Sequence, residues 1–175
     1  MVSSARSCQE LPAHRSIARC CRLAAVQIER VGIVGCGLMG SGIAEVCARA
    51  GLDVVVVDAG EVALSVGRER IETSLANAVR RGKLDAESQT RALEALTFSA
   101  DLDALADRQL VVEAVTEAED LKTAIFRSLD KTVEDPEAIL ASNTSSIPIT
   151  CPWAFLENSR SSFLSSSSAM RKILV

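Results

Sequence analysis

Three glycines stand at close, fixed spacing just after the first apolar run of the sequence. Gly35, Gly37 and Gly40 form GxGxxG within GCGLMG, where a predicted strand turns into a predicted helix. We expect Gly35 to permit a tight turn, Gly37 to let the backbone approach a diphosphate, and Gly40 to let the helix pack closely on the sheet. The free N–H groups at the start of that helix, at Leu38 and Met39, would then face the phosphates. The alternative is a glycine turn that only connects strand and helix.

An acidic residue closes the second apolar run. Asp58 follows Gly40 by 18 residues, at the end of a predicted strand, where a carboxylate can accept hydrogen bonds from an adenosine ribose. It would repel a 2′-phosphate, and the next basic residue is Arg68, well inside the following predicted helix. The pattern therefore favours NAD over NADP. The alternative is that Asp58 only caps the helix that begins near Glu61.

Short apolar runs alternate with helix-period segments from Val31 onward, which is typical of βα units on a parallel sheet. The predicted strands are residues 31–35, 53–58, 97–99, 109–115 and 138–142, and the predicted helices are 38–50, 61–81, 85–96 and 119–131. The four consecutive valines of the second run suit a strand that is buried on both faces. We therefore expect an α/β protein with a Rossmann-type, doubly wound parallel sheet.

Composition divides the chain into three parts. Residues 1–30 contain five arginines and two glutamates and lack periodicity, so we expect a disordered N-terminal extension, either a targeting segment or the product of a misassigned start codon. Residues 31–150 form the predicted nucleotide-binding domain. Residues 151–175 are rich in serine and contain no glycine, and we expect them to be an unstructured or poorly packed tail.

The charge and cysteine patterns exclude several classes of function. Because residues 31–175 carry a net charge of −7, a nucleic-acid partner is disfavoured. The six cysteines show no CxxC spacing and the only histidine is His14, so neither a metal site nor a disulfide framework is indicated. No apolar run approaches the roughly 18 to 20 residues of a membrane helix. We expect a reduced, cytoplasmic protein without a membrane partner.

Three segments, which follow one another along the chain, resemble the N-terminal domain of the 3-hydroxyacyl-CoA dehydrogenase family, particularly the bacterial 3-hydroxybutyryl-CoA dehydrogenases. They are VGIVGCGLMGSGIAEVCARAGLDVVVVD at 31–58, VVEAVTE at 111–117 and ASNTSSIPI at 141–149. The likeness covers some two thirds of this chain but less than half of a whole family member. It implies NAD as cofactor and a 3-hydroxyacyl-CoA or 3-oxoacyl-CoA as substrate, in fatty acid metabolism.

The resemblance also assigns residues beyond the glycine loop. It implies that Glu117 and Lys122 lie near the nicotinamide end of the cofactor, that Asn143 lies beside the nicotinamide, and that Ser145 bonds the substrate's 3-oxygen. Read alone, residues 143–146 are uncharged hydrogen-bonding groups at the end of the fifth strand, where open α/β sheets bind ligands, or else an ordinary capped turn. Without the resemblance Lys122 is predicted to be a surface helix residue, and Glu113 is predicted to be structural.

The family's reaction passes the hydroxyl proton of the substrate to a histidine, oriented by a glutamate, while hydride passes to NAD. Family members continue after the NTSS turn into an HFFNP-like strand and a helical domain that builds the acyl pocket and the homodimer. This chain has no histidine after His14, and residues 151–175 do not resemble that strand. Losing a general base costs about 10²- to 10⁴-fold in rate, so we expect the chain as written to be inactive.

The missing continuation has a structural consequence as well. Without the next strand, we expect the fifth strand to be an unpaired edge that is prone to aggregation. A frameshift or an incorrect gene prediction near Thr150 would explain why the periodic pattern gives way there to a serine-rich stretch.

Two other interpretations remain open. One is a catalytically silent NAD-binding module. The other is a different Rossmann dehydrogenase, of the 3-hydroxyisobutyrate or 6-phosphogluconate type, whose glycine loops also read GxGxMG but which lack the ASNTSS segment.

Overall fold

Six parallel strands form one sheet in the computed structural model, which describes residues 27–143 and 173–174. Their order across the sheet is β3, β2, β1, β4, β5, β6. The strands are β1 (Arg30–Val34), β2 (Asp53–Val57), β3 (Leu96–Ser99), β4 (Leu110–Glu113), β5 (Ile139–Ser142) and β6 (Ile173–Leu174). The predicted Rossmann-type parallel sheet is confirmed.

The predicted helices are also present, with ends that differ by one or two residues. They are α1 (Leu38–Arg49), α2 (Glu61–Arg80), α3 (Ala86–Glu94) and α4 (Glu119–Thr132). The largest difference is at α3, because Leu96 pairs with Val54 as the first residue of β3 and does not continue the helix. A 3₁₀ turn at Leu102–Leu105 was not predicted.

The valines of β2 pack on both faces of the sheet, as their unbroken run predicts. Val54 and Val56 belong to a cluster with residues of α1, α2 and α3, whereas Val55 and Val57 belong to a second cluster with residues of α4. Helices therefore cover the sheet on both sides, and β1, β2 and β4 lie in its interior.

The strand order reverses between β1 and β4, since β1 is paired with β2 on one side and with β4 on the other. At the carboxyl ends Val34 is opposite Val57 and also opposite Glu113, so the three strands end at the same level. Ligands of open α/β sheets bind in the crevice at such a reversal. The loops that follow these three strands are therefore the place to look for a site.

The expected unpaired edge at β5 is wrong for this structure. Ile173 and Leu174 of β6 pair in parallel with Leu140 and Ala141, so a short apolar segment from the predicted tail takes up backbone hydrogen-bonding groups that an edge would leave open. The predicted N-terminal extension up to residue 26, and the predicted tail apart from β6, lie outside the described residues. None of the helices in the described part of the chain is long and apolar enough to span a membrane.

Candidate cofactor site

The loop between β1 and α1 begins with a turn that only glycine adopts readily. Gly35 has φ +102, and a Cβ at this position would lie 2.8 Å from the carbonyl oxygen of Ala114. Its N–H donates to the carbonyl oxygen of Val57 at 2.8 Å. The turn expected at Gly35 is therefore present and is held against β2 and the end of β4.

The first turn of α1 is open to a ligand. Gly37 is the N-cap, no side chain caps the helix, and no acidic residue lies in its first turn. A Cβ at Gly37 would meet nothing within 4 Å, so the space in front of the loop is free. Because the first N–H groups of a helix have no intrahelical partner, they can donate to a diphosphate placed there. The side chains of Leu38 and Met39 are exposed on this turn.

Gly40 lets α1 approach the turn closely, as expected. A Cβ on Gly40 would overlap the carbonyl oxygen of Gly35 and would lie 3.5 Å from Cγ2 of Ile33. Any larger residue would push the start of α1 away from β1.

Asp58 lies beside the same loop, at the end of β2. Its Oδ2 accepts a hydrogen bond from the backbone N–H of Cys36 at 2.8 Å, and its Oδ1 accepts one from the N–H of Gly60 at 3.1 Å. The carboxylate is half-buried and each of its oxygens keeps a second lone pair for another donor. Asp58 therefore both fixes the glycine loop and remains able to accept a hydroxyl hydrogen.

A cavity of about 870 Å³ opens between these residues. Its wall is formed by the glycine loop, by the ends of β1, β2 and β4, and by one side each of α2 and α4. The lining is mostly apolar, and its charged members are Asp58 and Arg70. A large apolar cleft with a few polar groups at defined points is the usual form of a cofactor site.

The helix α2 packs directly on the glycine loop. A Cβ on Gly67 would overlap Sγ of Cys36 and would lie 2.7 Å from the carbonyl oxygen of Cys36. The Cys36 side chain is buried in this contact, and burial, then the nearby Asp58 carboxylate, raises the pKa of its thiol, with Arg70 acting in the opposite direction. The thiol is therefore a poor nucleophile at neutral pH.

A buried ionic cluster lies on the other side of the strand reversal. The Lys122 ammonium donates to both carboxylate oxygens of Glu113 at 2.7 Å, and the two residues are 1% and 0% exposed. Glu113 also accepts hydrogen bonds from the N–H of Val115 at 2.7 Å and from the hydroxyl of Ser142 at 2.6 Å. The expectation that Lys122 lies on the surface is wrong, because its stem crosses from α4 to a carboxylate in the sheet. The structural interpretation of Glu113 fits this arrangement.

Of the remaining predicted residues, Asn143 contacts this cluster through its backbone. Asn143 is exposed at the end of β5, and its N–H donates to the carbonyl oxygen of Glu113 at 2.8 Å. Glu117 is exposed just before α4. Neither these two residues nor Lys122 line the cavity, and Ser145 lies outside the described residues. The structure thus joins Lys122 to Asn143 through Glu113, and separately joins the glycine loop to Asp58.

Three residues of the cavity wall, the loop contact and the buried cluster were not predicted from the sequence. Arg70 and Gly67 lie inside a long helix, where neither the spacing nor the residue type marks them, and Ser142 was read only as the last residue of a strand. No group of three or more potential metal ligands occurs within residues 27–143.

Comparison with known proteins agrees with this geometry. The family model described as "3-hydroxyacyl-CoA dehydrogenase, NAD binding domain" matches residues 30–161. A 3-hydroxybutyryl-CoA dehydrogenase of Mycobacterium tuberculosis is 57% identical over 122 residues, which cover 70% of this chain and 43% of that protein. A 3-hydroxyadipyl-CoA dehydrogenase of Escherichia coli K12 is 40% identical, over 76% of this chain and 28% of its own length.

Solved structures give the same result. The crystal structure of M. tuberculosis FadB2 matches with a TM-score of 0.71 and 56% identity, over 73% of this chain and 45% of that one. The (S)-3-hydroxybutyryl-CoA dehydrogenase PaaH1 of Ralstonia eutropha matches with a TM-score of 0.68 and 42% identity, over 71% and 44%. The chain therefore spans less than half the length of these relatives. It belongs to the 3-hydroxyacyl-CoA dehydrogenase family, and residues 30–161 correspond to the NAD-binding domain of that family.

Proposed function

We propose that this chain is the NAD-binding part of a dehydrogenase that transfers a hydride between the 3-hydroxy carbon of an acyl-CoA and NAD. The observation that carries the proposal is the open start of α1, which shares a cavity wall with Asp58, in a chain of this family. Relatives named 3-hydroxybutyryl-CoA dehydrogenase favour a short acyl chain as substrate. A role in fatty acid metabolism follows from the same chemistry.

The residues present fit the cofactor. The N–H groups at the start of α1, over Gly37, Leu38 and Met39, would hold the diphosphate, and Asp58 would accept from the adenosine ribose. The apolar cavity wall would take the adenine. Bound NAD would supply the hydride acceptor, because no side chain of the protein can do so.

The nicotinamide end of the site is proposed from the second group of residues. Glu117, Lys122 and Asn143 would lie near the nicotinamide, and Ser145 would hydrogen-bond the 3-oxygen of the substrate. Lys122 would act there through Glu113, since its ammonium is engaged by that carboxylate. The backbone of Asn143 is held by the same residue.

We further propose that the 175-residue chain on its own binds NAD without oxidising a 3-hydroxyacyl-CoA. The family's reaction needs a histidine base, and residues 15–175 contain none. A cytoplasmic location and, for an intact family member, a homodimer are part of the same proposal.

A titration of the purified chain with NADH, followed by nucleotide fluorescence, tests the first part. We expect saturable binding of NADH and at least ten-fold weaker binding of NADPH, because the Asp58 carboxylate repels a 2′-phosphate. Absence of saturable binding by a chain that circular dichroism shows to be folded would overturn the proposal. NADH oxidation that depends on acetoacetyl-CoA would contradict the second part.

A catalytically silent NAD-binding module is the second candidate, and the missing histidine is the observation that favours it. Both candidates predict binding without turnover, so kinetics cannot separate them. The coding DNA downstream of Thr150 does so. An HFFNP-like sequence in another reading frame supports the dehydrogenase, and its absence from both other frames supports the silent module.

A further inference from the structure

The cavity contains a basic side chain that the glycine motif does not require. Arg70, on α2, lines the cavity, and Asp58 is the other charged residue in its wall. The Arg70 side chain is half-buried. In the sequence the first basic residue after Asp58 is Arg68, but in the structure it is Arg70 that lies in the cavity wall.

Hydrogen bonds connect Arg70 to the start of α1. Its Nη1 donates to Oγ of Ser41 at 3.4 Å, and that hydroxyl donates to the carbonyl oxygen of Gly37 at 2.7 Å and lies 3.2 Å from that of Leu38. The guanidinium therefore lies against the first turn of α1, and Arg70 shares the cavity wall with Gly37, the N-cap of that helix.

Arg70 has no ion-pair partner among residues 27–143. In the described part of the chain no carboxylate is within salt-bridge distance of Arg70. Both oxygens of Asp58 accept backbone N–H groups. A half-buried guanidinium with one long hydrogen bond keeps most of its five donors available, and phosphate oxygens are the acceptors that it matches best.

Arg68 shows that this placement is specific to one position of the helix. It lies two residues earlier in α2, and its guanidinium stacks on the ring of Phe98, 4.6 Å from the centroid. Arg68 lines a separate small pocket with Phe98 and not the large cavity.

We propose that Arg70 binds the diphosphate of NAD and supplies a side-chain cation to a cradle that is otherwise built from backbone N–H groups. This inference rests on the NAD site described above and adds a residue to it. Part of the affinity for NAD then comes from an ion pair at a partly exposed position, so binding weakens as the ionic strength rises.

The test compares Arg70→Ala with Arg68→Ala in the full chain. Each is titrated with NADH, and ADP and adenosine are then measured as competitors. We expect Arg70→Ala to raise the Kd of NADH and of ADP about ten-fold, which is the size of a charge-assisted hydrogen bond, and to change the Kd of adenosine less than two-fold. Arg68→Ala should leave all three within two-fold. The salt dependence of NADH binding should be shallower for Arg70→Ala than for the wild type.

Other outcomes would contradict the proposal in distinct ways. An equal loss for ADP and adenosine would mean that Arg70 only shapes the cavity, and no loss for ADP would mean that it faces solvent. Arg70→Lys, which keeps the charge, should retain part of the ADP affinity, and the urea midpoints of both Arg70 variants should match that of the wild type. If the wild type bound no NADH, the NAD site itself would be refuted, whereas a wild type that binds and an Arg70→Ala that binds equally well would refute only this inference.

Discussion

Replacement of Lys122 by methionine is expected to destabilise the fold strongly. The ammonium and the Glu113 carboxylate are both fully buried, at 2.7 Å from each other. Removing one partner of a buried ion pair costs about 3–5 kcal/mol, because a charge stays behind without compensation. In this protein the carboxylate would keep the hydrogen bonds from Val115 and Ser142. We therefore expect a loss near the lower limit, about 3 kcal/mol.

The double variant Glu113→Gln with Lys122→Met should recover most of this loss. A glutamine at position 113 can accept from the N–H of Val115 and donate to Ser142, whose hydroxyl can act as acceptor. With neither charge left in the interior, we expect a net loss of about 1 kcal/mol or less relative to the wild type.

Urea denaturation followed by far-ultraviolet circular dichroism at pH 7 measures these free energies of unfolding. Lys131→Met, on the exposed side of the same helix, is the matched control and should change stability by less than about 0.5 kcal/mol. The reasoning fails if Lys122→Met loses less than about 1 kcal/mol, or if the double variant is as unstable as the single one.

Three further predictions concern the glycine loop, the Asp58 carboxylate beside it, and the stability of the fold at low pH. Gly40→Ala should abolish measurable NADH binding, because the new Cβ overlaps the Gly35 carbonyl, whereas Gly42→Ala, whose Cβ meets nothing within 4 Å, should bind normally and gain up to about 1 kcal/mol; equal binding by both variants would contradict this. Asp58→Asn should weaken NADH binding about ten-fold and bring the NADH and NADPH Kd values closer together, since an amide no longer repels a 2′-phosphate. Both Kd values are measured by fluorescence titration, and an unchanged ratio of NADPH Kd to NADH Kd would count against Asp58 as the ribose residue. The hydrogen bonds from the Arg108 side chain hold the pKa of Asp107 below its usual value of 3.8, so its stabilisation is complete above that value and is lost as the pH falls through the lower folded-state pKa. Urea midpoints of Asp107→Asn measured down to pH 2 should fall less steeply with acid than those of the wild type, and parallel curves would refute the assignment.

The parts of this fold that could be predicted are those that local sequence encodes. The four valines from Val54 to Val57 are buried on both faces, and Gly35 adopts the positive φ that its place in the motif requires. The end of α3 could not be predicted, because Leu96 continues the helical pattern and is placed in β3 by its pairing with Val54. Tertiary pairing overrides local propensity at such boundaries.

The candidate site divides in the same way, into residues that the local sequence predicts and residues that only tertiary packing brings to the site. Asp58 was identified because its distance from the glycines is fixed by the βα unit that separates them. Lys122 could not be recognised as buried, because its partner Glu113 is nine residues earlier on a different element. Arg70 was invisible for a similar reason, since only the packing of α2 on the loop brings it to the start of α1.

The contact between Gly67 and Cys36 shows that the glycine loop depends on a residue outside the GxGxxG motif. A fourth glycine, on a different helix, is required by the same loop, because a Cβ at position 67 would overlap the Cys36 side chain. A bulkier residue at position 67 would lift α2 from the loop and carry one wall of the crevice outward with it. For engineering this cofactor site, the unit to preserve is therefore a pair of facing surfaces, one from each helix, whose members stand some thirty residues apart in the chain.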